Sequence, residues 1–114
     1  MIARISTIKK SKDFQLLFKK AKSFKTQLFV LKSARNGSGE KRFGFVVSQK
    51  VSKKATVRNK VRRRLAEAVR AEIENIKEGL DIVLIALPGI DKKEFSAIKI
   101  ALKEALSKIK CFNQ

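Results

Sequence analysis

Between Lys50 and Arg64 the chain carries Lys50, Lys53, Lys54, Arg58, Lys60, Arg62, Arg63 and Arg64, with no acid among them. Like charges this dense repel one another and are unfavourable unless a polyanion neutralises them. The chemistry that suits them is phosphate binding, with Lys as a compact point charge and Arg as a planar fork matching two oxygens. The rest of the sequence removes the common catalytic alternatives. There is no His and one Cys, Cys111. The usual zinc sites, Ser-His-Asp and Cys-His catalysis and histidine acid–base chemistry therefore have no residues to be built from. Cys111 has no partner for an internal disulfide. It is read as inert, and it points to a reducing compartment.

The charge is one-sided. The chain has 28 Lys+Arg against 10 Asp+Glu, a net of +18. Residues 1–70 hold 21 of the cations and only Asp13, Glu40 and Glu67, whereas residues 71–114 hold seven of each sign. Charge that served solubility alone could be scattered, so the segregation favours nucleic acid as the partner. An acidic membrane surface is the other polyanion. No segment is both basic and rich in exposed large apolar residues, and no apolar run approaches the roughly 18 residues of a membrane span. The N-terminus shows no apolar stretch with a small-residue cleavage site, so a cytoplasmic location is expected. At 114 residues and 44% hydrophobic, the chain suits a single domain, 1–114, with a modest core. It is too apolar for a disordered basic tail.

The elements that must position these cations follow from periodicity. A first helix is expected from Ser11 to Ala21, with Phe14, Leu17, Phe18 and Ala21 on one face. Strands are expected over Gln27–Ala34 and Arg42–Gln49, either side of an Asn36-Gly37-Ser38-Gly39 loop. The spacing predicts a second helix from Val57 to Lys77. Thr56 is its cap, Gly79 its stop, and Val57, Val61, Leu65, Val69, Ile73 and Ile76 its apolar stripe. Asp81–Leu87 reads as a strand buried on both faces. Asp91 and Glu94 suggest a capping box for the last helix, with Ile90 and Phe95 as its hydrophobic staple. Phe95, Ile98, Leu102, Ala105, Leu106 and Ile109 form its core stripe. The whole is an α+β layer with few strands.

Two features mark a site. Helix N-termini carry free N–H groups and positive partial charge, and acids normally stabilise them. Here Arg58, Lys60, Arg62, Arg63 and Arg64 crowd that end of the second helix, an arrangement that makes sense if phosphates dock there. All eight aromatics are Phe. Most must be core, but Phe14 and Phe18 sit in a basic segment and could instead stack on unpaired bases.

Val57 to Ala68 reads Val-Arg-Asn-Lys-Val-Arg-Arg-Arg-Leu-Ala-Glu-Ala. It resembles the signature helix of the bacterial ribonuclease P protein component, Arg-Asn-Arg followed by Val/Ile, two basic residues and Leu. Gly44-Phe45-Val46-Val47-Ser48-Gln49-Lys50 resembles the family's Gly-x-x-x-Ser-x-Lys strand. Asp13-Phe14-Gln15-Leu16-Leu17-Phe18 resembles its early Asp-Phe-x-x-x-Phe helix, and Asp81–Ala86 its Asp-Ile-Val-x-Ile-Ala strand. The likeness spans nearly the whole chain in the right order. Departures are Gln49 for a frequent Lys, Lys60 for Arg, Lys32 for a common aromatic, Ala66 for a basic residue and Leu87 for Arg.

The resemblance implies a small α–β sandwich of αβββαβα order with a left-handed βαβ crossover, against the usual right-handed rule. It implies the protein subunit of a ribonucleoprotein endonuclease whose RNA removes the 5′ leader of precursor tRNA. The catalytic groups would be in the RNA, none in this chain. Contacts to the catalytic RNA are expected from Arg58, Asn59, Lys60, Arg62, Arg63, Arg64, Lys53 and Lys54, and a leader-binding cleft from Phe14, Phe18, Lys32 and Lys50. No metal or cofactor is expected on the protein alone, and Mg2+ is expected to act in the holoenzyme through the RNA. The partners are the catalytic RNA, at 1:1, and precursor tRNA, with no membrane. The alternatives are a structural RNA-binding protein, such as a ribosomal protein, and a protein-only nuclease. The missing His and the acid-poor basic half count against the nuclease.

Overall fold

The computed structural model describes residues 6–7, 21–37 and 39–112. Apart from Ala21, the expected first helix lies outside them, and with it Phe14 and Phe18. Five strands form one mixed sheet: β1 (Ser6–Thr7), β2 (Lys22–Lys25), β3 (Phe29–Arg35), β4 (Arg42–Val46) and β5 (Leu80–Ala86). Their spatial order is β1-β4-β5-β3-β2. β4 runs parallel to β1 and β5, and β3 runs antiparallel to β2 and β5. Among the described residues two α-helices pack with the sheet, a basic helix (Ala55–Glu72) and a C-terminal helix (Phe95–Lys108). The strand over Lys22–Lys25 was not singled out by alternation, because it offers only Phe24 to the core. It is held by a tight turn in which Thr26 Oγ1 accepts from the N–H groups of Leu28 and Phe29, both at 3.0 Å.

The period-2 reading of β3 is borne out. Phe29, Leu31 and Ser33 are buried, while Val30, Lys32 and Ala34 are half-buried on the opposite face. Phe29, Leu31, Phe43, Ile82 and Leu84 share one core with Val61, Leu65, Ala68 and Val69 of the basic helix and Ile98, Leu102, Ala105 and Leu106 of the C-terminal helix. Both helices thus pack on one face of the sheet. Full burial of each such aliphatic side chain contributes about 1.5–3 kcal/mol. β5 is buried on its second face as well, where Val83 packs with Ala21, Ala34 and Ile85.

Helix boundaries differ from the expectation. The basic helix starts at Ala55 after Lys54, with no side-chain cap, so Thr56 is a helical residue and not the cap. It ends at Glu72, where a 3-10 turn, Ile73–Asn75, replaces the expected run to Lys77. Ile76 instead forms a bridge with Phe112. The stripe holds from Val61 onward, where Val61, Leu65, Val69, Ile73 and Ile76 are all buried, while Val57 at its start is only half-buried. Gly79, at φ +77°, supplies the left-handed turn into β5 that a side chain would resist. The C-terminal helix begins at Phe95, three residues later than a cap at Asp91 implies. Asp91 lies in a separate 3-10 turn, and Glu94 caps without a side-chain bond. Ile90 is buried but Phe95 is 36% exposed, so the staple is not formed and Phe95 leaves the core stripe.

On the sheet face away from the helices, Arg42 and Asp81 stand opposite each other in the β4–β5 register. Arg42 Nε and Nη2 donate to the two Asp81 oxygens at 2.8 and 2.7 Å. Asn36 Nδ2 donates to Asp81 Oδ1 and to the Glu40 carbonyl, both at 2.9 Å. The buried carboxylate thus ties β4, β5 and the β3–β4 loop together.

Cys111 is 1% exposed. Burial pushes its thiol above the ordinary value, opposed by a bond with Ser33 and by the charges of Lys77 and Lys22. The fold therefore favours the neutral thiol, a contribution present below the unfolded pKa and lost as pH rises through the raised one. Thiol reagents should label Cys111 only as fast as the protein opens, so the labelling rate should jump at the denaturation midpoint. Rapid labelling of the folded protein would contradict this burial.

Candidate nucleic-acid interface

The cations of the basic segment divide by what they already hold. β4 runs into a turn in which Val51 N donates to the Ser48 carbonyl at 3.1 Å. Ser52 Oγ then accepts from Lys54 N at 3.2 Å, which orders the entry to the helix. Arg58 Nη1 donates to the carbonyls of Ser52 and Lys53, both at 3.0 Å, and closes this loop against the first helical turn. Arg62 donates to Asn59 Oδ1 at 2.6 Å and to the Val47 carbonyl at 3.4 Å, tying the helix to the end of β4. Arg64 donates to the Lys93 carbonyl at 3.2 Å, reaching the segment before the C-terminal helix.

The remainder are uncommitted. Lys50, Lys53, Lys54, Lys60 and Arg63 are exposed. Among the described residues their side chains have no acidic partner. The first helical turn contains no acid. A helix N-terminus with unmet N–H groups, flanked by free ammonium and guanidinium groups, attracts anions by dipole and by charge together. Arg58, Arg62 and Arg64 act differently. Their guanidinium groups are half-fixed by backbone acceptors and present their remaining donors from set positions, which lowers the entropy lost on binding.

The structure brings Lys53, Lys54, Arg58, Asn59, Lys60, Arg62, Arg63 and Arg64 onto one helix and its entry loop, with Lys50 in the turn just before. Lys32 sits apart, on the sheet face opposite the helices. There Ser23, Lys32, Val83 and Gly44 form one row across β2, β3, β5 and β4, and Lys25, Val30, Ile85 and Val46 form the next. On this face Lys25 and Ser23 are exposed at the β2 edge, Lys32, Val30 and Ile85 are half-buried, and Val83 is buried. Phe14 and Phe18, the other two expected cleft residues, lie outside the described residues. Sequence reasoning missed the exposure of Phe95 and the Arg64–Lys93 contact. The competition between Asp91 and Glu94 to start the last helix was the signal for the first, while the second has no local signal. Among the described residues no group of three or more His, Cys, Asp or Glu is gathered. No described helix is long and apolar enough to cross a membrane.

A small α+β scaffold with a segregated cationic helix is the architecture of a nucleic-acid-binding protein. Its sequence matches the Ribonuclease P family over residues 2–110, and the chain belongs to that family as a ribonuclease P protein component. It is 33% identical to the ribonuclease P protein component of Alkaliphilus oremlandii, over 96% of this chain and 95% of the relative. It is 37% identical to that of Brevibacillus brevis, over 97% and 88%. The fold superposes on the RNase P protein of Staphylococcus aureus with a TM-score of 0.86 at 31% identity, covering 96% of this chain and 100% of that one. The Thermotoga maritima RNase P protein gives 0.77 at 32% identity, covering 87% and 93%. Superposition preserves hand, so the β4–helix–β5 crossover shares the hand of those structures. Family membership does not favour the ribosomal-protein alternative.

Proposed function

We propose that the chain binds the catalytic RNA of ribonuclease P through the basic helix and its entry loop, and the 5′ leader of precursor tRNA along the sheet face opposite the helices. The observation that carries this reading is the set of exposed cations at Lys53, Lys54, Lys60 and Arg63, without acidic partners among the described residues, around an acid-free helix start in a member of this family. Arg58, Asn59, Arg62 and Arg64 complete the contact, with guanidinium groups already oriented for phosphate oxygens. Lys32 and Lys50 serve the leader, together with Phe14 and Phe18.

In this reading the chain supplies charge and position, and the RNA supplies the catalytic groups. Two RNAs packed together repel through their phosphates, and the protein's cations replace part of the counterion atmosphere. Mg2+ belongs to the holoenzyme through the RNA. One chain serves one RNA, in the cytoplasm. The leader is the part that distinguishes precursor from mature tRNA, so the complex of chain and RNA should bind precursor more tightly. Lys32→Ala should erode that preference without moving mature-tRNA affinity. Equal affinities for the two tRNAs in the wild-type complex would overturn the leader assignment.

A further inference from the structure

Beside the phosphate-binding face lies a groove that shares Lys60, Arg63 and Arg64 with it and adds an aromatic wall that none of the assignments above uses. It is lined by Lys60, Arg63, Arg64, Glu67 and Arg70 of the basic helix and by Phe95, the first residue of the C-terminal helix. Its volume is about 610 Å3. Ala66, with only a methyl side chain, also lines it. Phe95 is one of the few large apolar side chains exposed among the described residues. Lys99 Nζ stands 5.7 Å from its ring centroid. Arg64 spans the two walls through its bond to the Lys93 carbonyl, and Arg70 pairs with Glu67.

We infer that this groove holds one unpaired ribonucleotide, with its base stacked on Phe95 and its phosphate on Arg63 and Lys60. Three features converge on that ligand. A half-exposed aromatic ring offers the π-face on which any base stacks. Cations on the adjoining helix face supply the charge for the phosphate attached to that base. The Glu67 carboxylate is an acceptor, and acceptors in such sites read exocyclic amino groups. A purely anionic ligand would gain nothing from Phe95, and an apolar one would be repelled by the desolvation of four flanking cations. The inference rests on the reading that this helix face meets RNA, and it adds a base contact to what is otherwise phosphate binding.

The test uses the full chain and a labelled oligoadenylate of about eight nucleotides, with an RNA duplex of similar length as control. Phe95→Leu keeps apolar bulk but removes the π-face. It should weaken single-strand binding roughly 5- to 150-fold, the range of one base–aromatic stack, while leaving duplex affinity and the salt slope unchanged. Phe95→Trp should restore binding. In the wild-type chain, NMR should show the Phe95 ring protons moving when the oligonucleotide is added and those of buried Phe43 staying still. Repeating the titration with the catalytic RNA and with precursor tRNA locates the nucleotide, since the loss should follow the RNA that supplies it. Indistinguishable affinity of the Phe95→Leu and wild-type chains for all single strands, with a static Phe95 ring, would overturn the site. Stimulation of precursor cleavage by the wild-type chain is measured alongside. If it stands while Phe95 is silent, only the base site fails, and if it is absent, the parent reading fails whatever Phe95 does.

Discussion

Replacing Lys53, Lys54, Lys60 and Arg63 together by Ala should lower the salt slope of catalytic-RNA binding by about three, since each phosphate contact contributes about 0.7–0.9. If the two proteins converge near 1 M salt, that difference is about a thousandfold in affinity at 0.1 M. The fold should not suffer. All four side chains are exposed, and none bonds another described residue. Removing like charges from one helix end relieves repulsion, so the melting temperature should hold or rise. Arg58→Ala is the informative contrast. Its guanidinium closes the Ser52–Lys53 loop, so affinity and melting temperature should fall together. An unchanged slope in the fourfold variant would show that this helix end does not meet RNA.

The largest effect on stability is expected at Asp81. Its carboxylate accepts from Arg42 twice and from Asn36 once, in a largely buried setting. Removing one member of a buried pair typically costs about 3–5 kcal/mol, because the surviving charge is left uncompensated. The Arg42 side chain is 25% exposed and recovers some hydration, which places Asp81→Ala toward the lower end, about 3 kcal/mol. Asp81→Ala combined with Arg42→Leu should cost less than the sum of the two, since the second change removes the stranded charge. Chemical denaturation measures both, and a loss below about 1 kcal/mol for Asp81→Ala would mean that the pair does not brace the sheet.

Asp81 also shows where sequence reading stops. Its strand was legible from the apolar run that follows it, but its partners lie 39 and 45 positions away, and nothing local marks them. The core stripes of both helices were legible because burial repeats at helical spacing, from Val61 to Val69 and from Ile98 to Leu106. The ends were not. Thr56 and Asp91 are both good capping types, but the backbone turns at Lys54 and Glu94 instead, where neither side chain provides a cap. That shift moves Phe95 from the staple to the first helical position, where it is exposed. β2 escaped because four residues with one core contact carry almost no periodic signal. The cationic helix was plain from composition, yet only the structure separates cations braced on backbone carbonyls, as at Arg58, Arg62 and Arg64, from those left open.

The central claim is that the chain contributes charge and position to an RNA-catalysed cleavage and no catalytic group of its own. The most direct measurement is the rate of precursor tRNA cleavage across a magnesium titration, with the catalytic RNA alone, the chain alone, and both together. The account predicts no cleavage by the chain alone. It also predicts that the chain shifts the magnesium requirement of the RNA downward, because protein cations replace counterions at the packed phosphates. Cleavage by the purified chain without RNA, or a magnesium profile that the chain leaves unmoved, would contradict it.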